Sequence, residues 1–309
     1  MDNTASTFAV VFPGQGSQFA GMADPWAAHP VGNRVLQEAS ESLGRDIVAG
    51  CHDDELLSTT EFVQPALLAC DIAAFRVLED AAGSFVGVAG HSLGEFAALV
   101  AAGACELAPV LQVVIARGLA MQRAGEAQPG AMSALLGVGT ERAGDLCDEA
   151  RGDDVLLVAN ENSPVQVVIS GNVSAIERAE MLAVEAKIRA VRLKVAGAFH
   201  SPLMEPAVTP IVEALRSVTF HRPRFPVSEN VAGSLLDDPD ELRAMLERHV
   251  VSPVKWESCV LALAAAGATT FLEAGPGDVL TKLAKRIVPH AHAAAVGSPE
   301  DAASETSMG

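Results

Sequence analysis

The stretch from Phe85 to Leu99 constrains this chain more than any other. Its apolar opening, Phe85 to Val88, reads as a buried strand, and Glu95-Phe96-Ala97-Ala98-Leu99 is rich in helix formers. Between them lies Gly90-His91-Ser92-Leu93-Gly94, a Gly-x-Ser-x-Gly signature. A strand that turns this sharply into a helix holds its serine strained and exposed, and the flanking small residues let the two arms pass. The helix start then offers unpaired N–H groups and a positive dipole end to developing negative charge. In a chain with 26 glycines the pentapeptide arises by chance about one time in ten. Its position between a strand and a helix is what argues for a nucleophile.

With 309 residues the chain can bury a large core, as one domain or two. The stretch Met1 to Val11 carries an acid and no Lys or Arg before its short apolar run, so it does not read as a signal peptide. The richest apolar stretch, Phe96 to Ala116, is broken by Gly103, Glu106, Pro109 and Gln112, too often for a membrane span. A cytoplasmic protein is expected. Five scattered cysteines have no spacing for a disulfide frame or a zinc site, and the eight histidines form no ligand pattern, so no metal is expected. The net charge of −18 argues against nucleic acid. An acidic partner would need a local basic patch.

Phe8 to Phe12 reads as a first buried strand, followed at once by Pro13-Gly14-Gln15-Gly16-Ser17-Gln18. Such a turn either brings backbone N–H groups to a ligand or simply links strand to helix, and both readings stand on sequence. Residues 31 to 50 look helical and 51 to 60 loop-like, and Gln64-Pro65 opens a helix through Ala81. A further helix spans Pro109 to Arg123. Val110, Val113, Val114, Arg117 and Met121 recur on one face, so Arg117 falls on an apolar stripe. It meets an anion there, or snorkels to solvent or a structural acid.

Gly125 to Gly130 is a linker by composition. Beyond it come a strand (131–138), a helix (141–150), a strand (155–159), a turn at Asn160 to Pro164, a strand (165–170), a helix (173–187) and a strand (188–195). That is the β-α-β-β-α-β order of a ferredoxin-like unit. We read an α/β protein: residues 1–126 and 197–290 form a discontinuous large domain, 127–196 an insert, and 291–309 a disordered tail. In the large domain, Pro226-Val227-Ser228 and Thr269 to Glu273 look like strands, and 241–250, 256–266 and a last helix ending near Val288 look like helices.

A serine needs a base. His29, His52, His221, His290 and His292 lie in polar or terminal stretches, and His91 must point away from Ser92 in an elbow. His200 and His249 are left as candidates. His200, between Phe199 and Pro202 in a tight turn, suits a positioned base better. No acid is evidently placed to orient it, because Asp237, Asp238 and Asp240 sit in a solvated run; a backbone carbonyl does the same work.

Phe12-Pro13-Gly14-Gln15-Gly16-Ser17-Gln18, Gln64-Pro65-Ala66, Gly90-His91-Ser92-Leu93-Gly94-Glu95, Arg117, Gly197-Ala198-Phe199-His200-Ser201 and Gly275-Pro276-Gly277 stand in this order. Over residues 8 to 290 the chain thereby resembles the malonyl-CoA:acyl carrier protein transacylases and the acyltransferase domains of polyketide and fatty acid synthases. The resemblance implies an α/β-hydrolase-like large domain with a ferredoxin-like insert. It implies that Ser92 takes the malonyl group as an ester, that His200 is the general base, and that the N–H groups of Gln15 and Leu93 form the oxyanion hole. Arg117 would grip the malonyl carboxylate, with Gln64, His91 and Phe199 lining the pocket and Phe199 favouring malonyl over methyl-branched units. No cofactor is bound: coenzyme A comes as the thioester substrate, and phosphopantetheine on the carrier partner. A monomer is expected.

Two departures from the family stand out. His249 replaces the usual Gln at the position whose main-chain carbonyl orients the catalytic imidazole. Glu161 and Val165 replace an aromatic and a glycine, which brings an acid toward the expected pocket mouth. Lys187, Arg189, Arg192 and Lys194, and separately Lys282, Lys285 and Arg286, either edge the cleft to receive an acidic carrier or are ordinary solvated charges. Service to a polyketide synthase and thioester hydrolysis are the competing activities.

Overall fold

The computed structural model describes residues 7–82 and 85–307. Among them are ten strands: β1 (Phe8–Phe12), β2 (Gly87–Gly90), β3 (Gly130–Leu136), β4 (Leu156–Ser163), β5 (Gln166–Asn172), β6 (Arg189–Arg192), β7 (Val227–Ser228), β8 (Leu235–Leu236), β9 (Thr270–Ala274) and β10 (His292–Val296). They form a six-stranded sheet, ordered β10-β9-β1-β2-β7-β8, and a four-stranded sheet, ordered β4-β5-β3-β6. The large sheet is parallel except for β8. The small one is antiparallel throughout.

β1 is apolar at every position because both of its faces are covered. Phe8, Val10 and Phe12 enter one core, where Phe12 meets Phe75 of the Thr60–Ala82 helix edge-on at 5.8 Å. Ala9 and Val11 enter the opposite core with Trp256, Cys259 and Leu283. In register, Phe12 pairs with Gly90, so the turns leaving β1 and β2 lie side by side at the carboxyl end of the sheet. Parallel α/β sheets bind ligands at that end.

The small sheet carries helices Thr140–Arg151 and Val173–Glu185 on one face, over Leu135, Leu146, Ile169 and Ile176. Its other face sends Met132, Ala134 and Val168 into the core of the large sheet. The fold is an α/β-hydrolase-like body with a ferredoxin-like unit set against its active end.

Several expectations need correction. The Thr60–Ala82 helix starts four residues before Gln64, so Pro65 lies inside it; its absent N–H leaves only the Glu61 carbonyl of the first turn without its helical bond. Asp54–Leu57 is a short helix within the segment read as a loop, with Asp53 accepting from the N–H groups of Glu55 and Leu56. Gly125 is not linker but helix, because Leu107–Ala127 runs on through it. A Cβ there would sit 2.3 Å from the Ala196 carbonyl oxygen, so the glycine admits the returning chain. The turn expected at 160–164 is mostly strand: β4 continues to Ser163, held to β5 and by Glu161 N–H to the Val254 carbonyl. The tail is ordered from His292 to Ser307. β10 adds to the sheet beside β9, and Pro299–Ser307 is a helix with Ala302 buried; alanine-rich composition hid two elements that pack through small side chains.

Candidate active site

The elbow is built by close approaches that only glycine permits. A Cβ on Gly90 would lie 1.8 Å from the Gly94 carbonyl carbon, and one on Gly94 would lie 2.1 Å from the Phe12 carbonyl oxygen. Between them Ser92 has φ 51°, a left-handed conformation uncommon for non-glycine residues. Asn230, just after β7, holds this strained turn: its Oδ1 accepts from Ser92 N–H at 2.8 Å and its Nδ2 donates to Gly90 O at 2.8 Å. Gly14 brings the first turn against the elbow, since a Cβ there would be 2.4 Å from His91 O and 3.7 Å from Leu93 N. Gln15 and Leu93 thereby line the same cleft as Ser92.

Ser92 Oγ lies 2.7 Å from His200 Nε2. His200, itself at φ 57°, has its Nδ1 within 3.2 Å of His249 O and 3.0 Å of Ser252 O. Two carbonyls accept only from an N–H, so the proton sits on Nδ1 and Nε2 is left to accept from the serine. Among the described residues no acid takes part in orienting this ring; the His249 and Ser252 carbonyls do it.

Arg117 is 1% exposed. Its Nη1 donates to Gln64 Oε1 at 2.7 Å and its Nη2 to Ser92 Oγ at 3.1 Å, and its guanidinium stands 5.6 Å from the Phe96 ring centre. Among the described residues it forms no ion pair with a carboxylate. Gln64 Nε2 reaches Gln15 Oε1 at 3.5 Å, which ties the pocket floor to the first turn. Phe199 is buried beside His200. His91 points away from Ser92, to Asn162 Oδ1 at 2.8 Å, with its ring 5.4 Å from Trp256.

Burial, then the charge of Arg117, lowers the His200 imidazole to about 3, so it is neutral at pH 7. Burial lowers Arg117 to about 10 and raises Glu95 to about 8, the latter with help from Glu229. His249, lowered well below its usual range by burial, lies 3.5 Å from Glu95.

These residues open on a cleft of ≈ 470 Å³ between the carboxyl end of the large sheet and the inner face of the small one. Along β4 the pleat sends Asn160 and Asn162 into the cleft and Glu161 to the other side, near Glu257. The acid expected at the pocket mouth is therefore absent from the lining. Sequence reasoning missed Asn230, Asn160, Asn162 and the Ser252 carbonyl. Only the alternation in β4 would have pointed to the two cleft asparagines; nothing in a single sequence marks the other two.

Residues 9–307 match the family model described as an acyl transferase domain. The malonyl CoA-acyl carrier protein transacylase of Escherichia coli (strain K12) is 41% identical over 298 residues, covering 94% of this chain and 96% of the relative. The chain belongs to the malonyl-CoA:acyl carrier protein transacylase family. The crystal structure of the Xanthomonas oryzae transacylase superposes with a TM-score of 0.93 at 41% identity, covering 99% of each chain. A malonyl-transacylase in complex with a type II PKS acyl-carrier protein gives 0.93 at 38%, covering 98% of this chain and 100% of that one.

Proposed function

We propose that this chain transfers the malonyl group from malonyl-CoA to the phosphopantetheine thiol of an acyl carrier protein through an ester on Ser92, supplying fatty acid synthesis. Arg117 carries this reading. A buried guanidinium without a carboxylate partner among the described residues, 3.1 Å from the Ser92 oxygen, is a socket for an acyl group that ends in a carboxylate. An acetyl group would leave that cation unpaired.

In the first half, Ser92 Oγ attacks the thioester carbonyl carbon while its proton passes to His200 Nε2. Negative charge on the carbonyl oxygen falls between the N–H groups of Gln15 and Leu93. The C–S bond then breaks, and the proton on His200 passes to the departing sulfur. In the second half the carrier's thiol gives its proton to His200, its sulfur attacks the seryl ester, and the proton returns to Ser92 Oγ as the C–O bond breaks. A carboxylate seated on Arg117 cancels the second cause of the low His200 value, so the substrate itself raises the base toward its working range. Phe199 limits room beside the reacting carbon, which favours malonyl over a methyl-branched unit by about 1–3 kcal/mol.

The protein works as a soluble, cytoplasmic monomer; no helix of the described residues is long and apolar enough to cross a membrane. Lys194 at one lip of the cleft, and the Val279–Ile287 helix with Lys282, Lys285 and Arg286 at the other, offer an acidic carrier its docking edge. The relative bound to a type II PKS carrier favours polyketide service as a second reading. Coenzyme A release from malonyl-CoA, followed with and without phosphopantetheinylated carrier, tests the reading. One equivalent released on ester formation, with further turnover only when carrier is present, supports it; continued turnover without carrier identifies a hydrolase.

A further inference from the structure

In a chain of net charge −18, the cleft lining contains no Asp or Glu and only two permanent cations, Arg117 and Lys194. They lie at opposite depths. Arg117 is at the floor beside Ser92, whereas Lys194 is exposed at the rim, just past the point where Leu193 N–H bonds Met132 O at the end of the small sheet's pairing. Of the neighbouring cations, Arg192 is held by Glu180, Lys282 by Asp278, and Arg286 donates to Gln166, while Arg189 and Lys285 lie outside the cleft lining. Among the described residues Lys194 has no carboxylate partner. It also stands in an otherwise uncharged lining, between Leu193 and Val195.

We infer that Lys194 receives the phosphate of the phosphopantetheine arm. The inference rests on the transfer reading above and adds to it the group that recognises the arm's far end. Geometry follows from the chemistry of the arm: its sulfur must reach Ser92 at the floor, and its phosphate terminates the other end, so the phosphate emerges at the rim. Coenzyme A and the carrier share this phosphate, which lets one cation serve both halves of the reaction. A lysine suits the task because it binds phosphate as a mobile point charge, tolerating the shift between two carriers of the arm.

The test compares acylation of Ser92 by malonyl-CoA, malonyl-phosphopantetheine and malonyl-N-acetylcysteamine, which lacks the phosphate. For Lys194→Ala, kcat/KM should fall about two- to fivefold more with malonyl-phosphopantetheine than with the phosphate-free thioester. The difference should shrink at high ionic strength. Lys194→Arg, which retains the charge, should keep the wild-type ratio. Transfer to phosphopantetheinylated carrier should slow by a similar factor in the alanine variant. A ratio unchanged by Lys194→Ala, a drop seen with malonyl-CoA alone (which would assign Lys194 to the nucleotide phosphates), or an arginine variant as impaired as alanine overturns the inference. Failure of the wild-type protein to form any malonyl ester would instead overturn the transfer reading on which it rests.

Discussion

Replacing Arg117 by Met keeps the length of the side chain and removes its charge, and the predicted consequence is a reversal of acyl preference. In the wild type the guanidinium is 1% exposed, bonded to Gln64 at 2.7 Å and to Ser92 Oγ at 3.1 Å. Truncating one partner of a buried, hydrogen-bonded charge pair costs about 2–5 kcal/mol. Taking about 3–4 kcal/mol for the substrate carboxylate, the loss in kcat/KM for malonyl-CoA is about 10²- to 10³-fold at 1.36 kcal/mol per tenfold. Acetyl-CoA responds in the opposite sense, because the variant no longer confronts a neutral methyl group with an unpaired cation. The malonyl-to-acetyl ratio should therefore fall at least about a hundredfold, measured by mass as the rate of Ser92 acylation by each thioester. Relief of the cation's desolvation is offset by the Gln64 Oε1 left without its donor, so the stability measured in urea should stay within about 2 kcal/mol of wild type, which separates this effect from unfolding. A ratio that changes less than about tenfold, with the fold intact, would refute the assignment of Arg117 to the carboxylate.

Further predictions follow from the same geometry. His200 is lowered to about 3, so its neutral, active form persists as pH falls: kcat/KM for malonyl-CoA should stay level from pH 8 to pH 5, where an unperturbed imidazole would be only about 3% neutral. The acid limb of kcat should lie above that of kcat/KM, since bound carboxylate offsets Arg117; a kcat/KM limb centred near 6.5 contradicts the burial argument. Gly14→Ala places a Cβ 2.4 Å from the His91 carbonyl oxygen and must push away the turn that carries Gln15. Acylation should slow about 10- to 100-fold while circular dichroism is unchanged; a rate within twofold of wild type would place the oxyanion donors elsewhere. Asn230→Ala leaves Ser92 N–H and Gly90 O without their partner, so urea denaturation should report a loss of about 2–4 kcal/mol, and less than about 1 kcal/mol would show that water or another group replaces it.

How much of this was legible before the structure varied with how local the determining physics is. The elbow was legible because strand, glycine-flanked serine and helix formers are contiguous, and the tightest of its approaches joins Gly90 to Gly94, four residues apart. The insert's element order was legible from alternating periodicity. Its β4 boundary was not, because Asn160 to Pro164 carries turn-forming residues that bonds to Val254 and β5 hold extended. The tail was misread for a related reason: β10 borrows its stability from β9, and a run of alanines carries almost no strand signal of its own. Ser92, His200 and Arg117 were each visible as residue types in suggestive settings. Their convergence, across 108 positions for the serine and the imidazole, was legible only through the family resemblance, because nothing local to either residue fixes it. Asn230 is the extreme case: an asparagine after a two-residue strand whose role exists only once the elbow is folded against it.

The central claim is that Ser92 carries the acyl group between two thiols. Intact-mass spectrometry after mixing with malonyl-CoA, beside Ser92→Ala, followed by addition of phosphopantetheinylated carrier, tests it most directly. The account predicts a single malonyl adduct on the wild type, none on the variant, and its disappearance as malonyl-carrier forms. An adduct that persists on Ser92→Ala, or that decays to free malonate whether or not carrier is added, would contradict it.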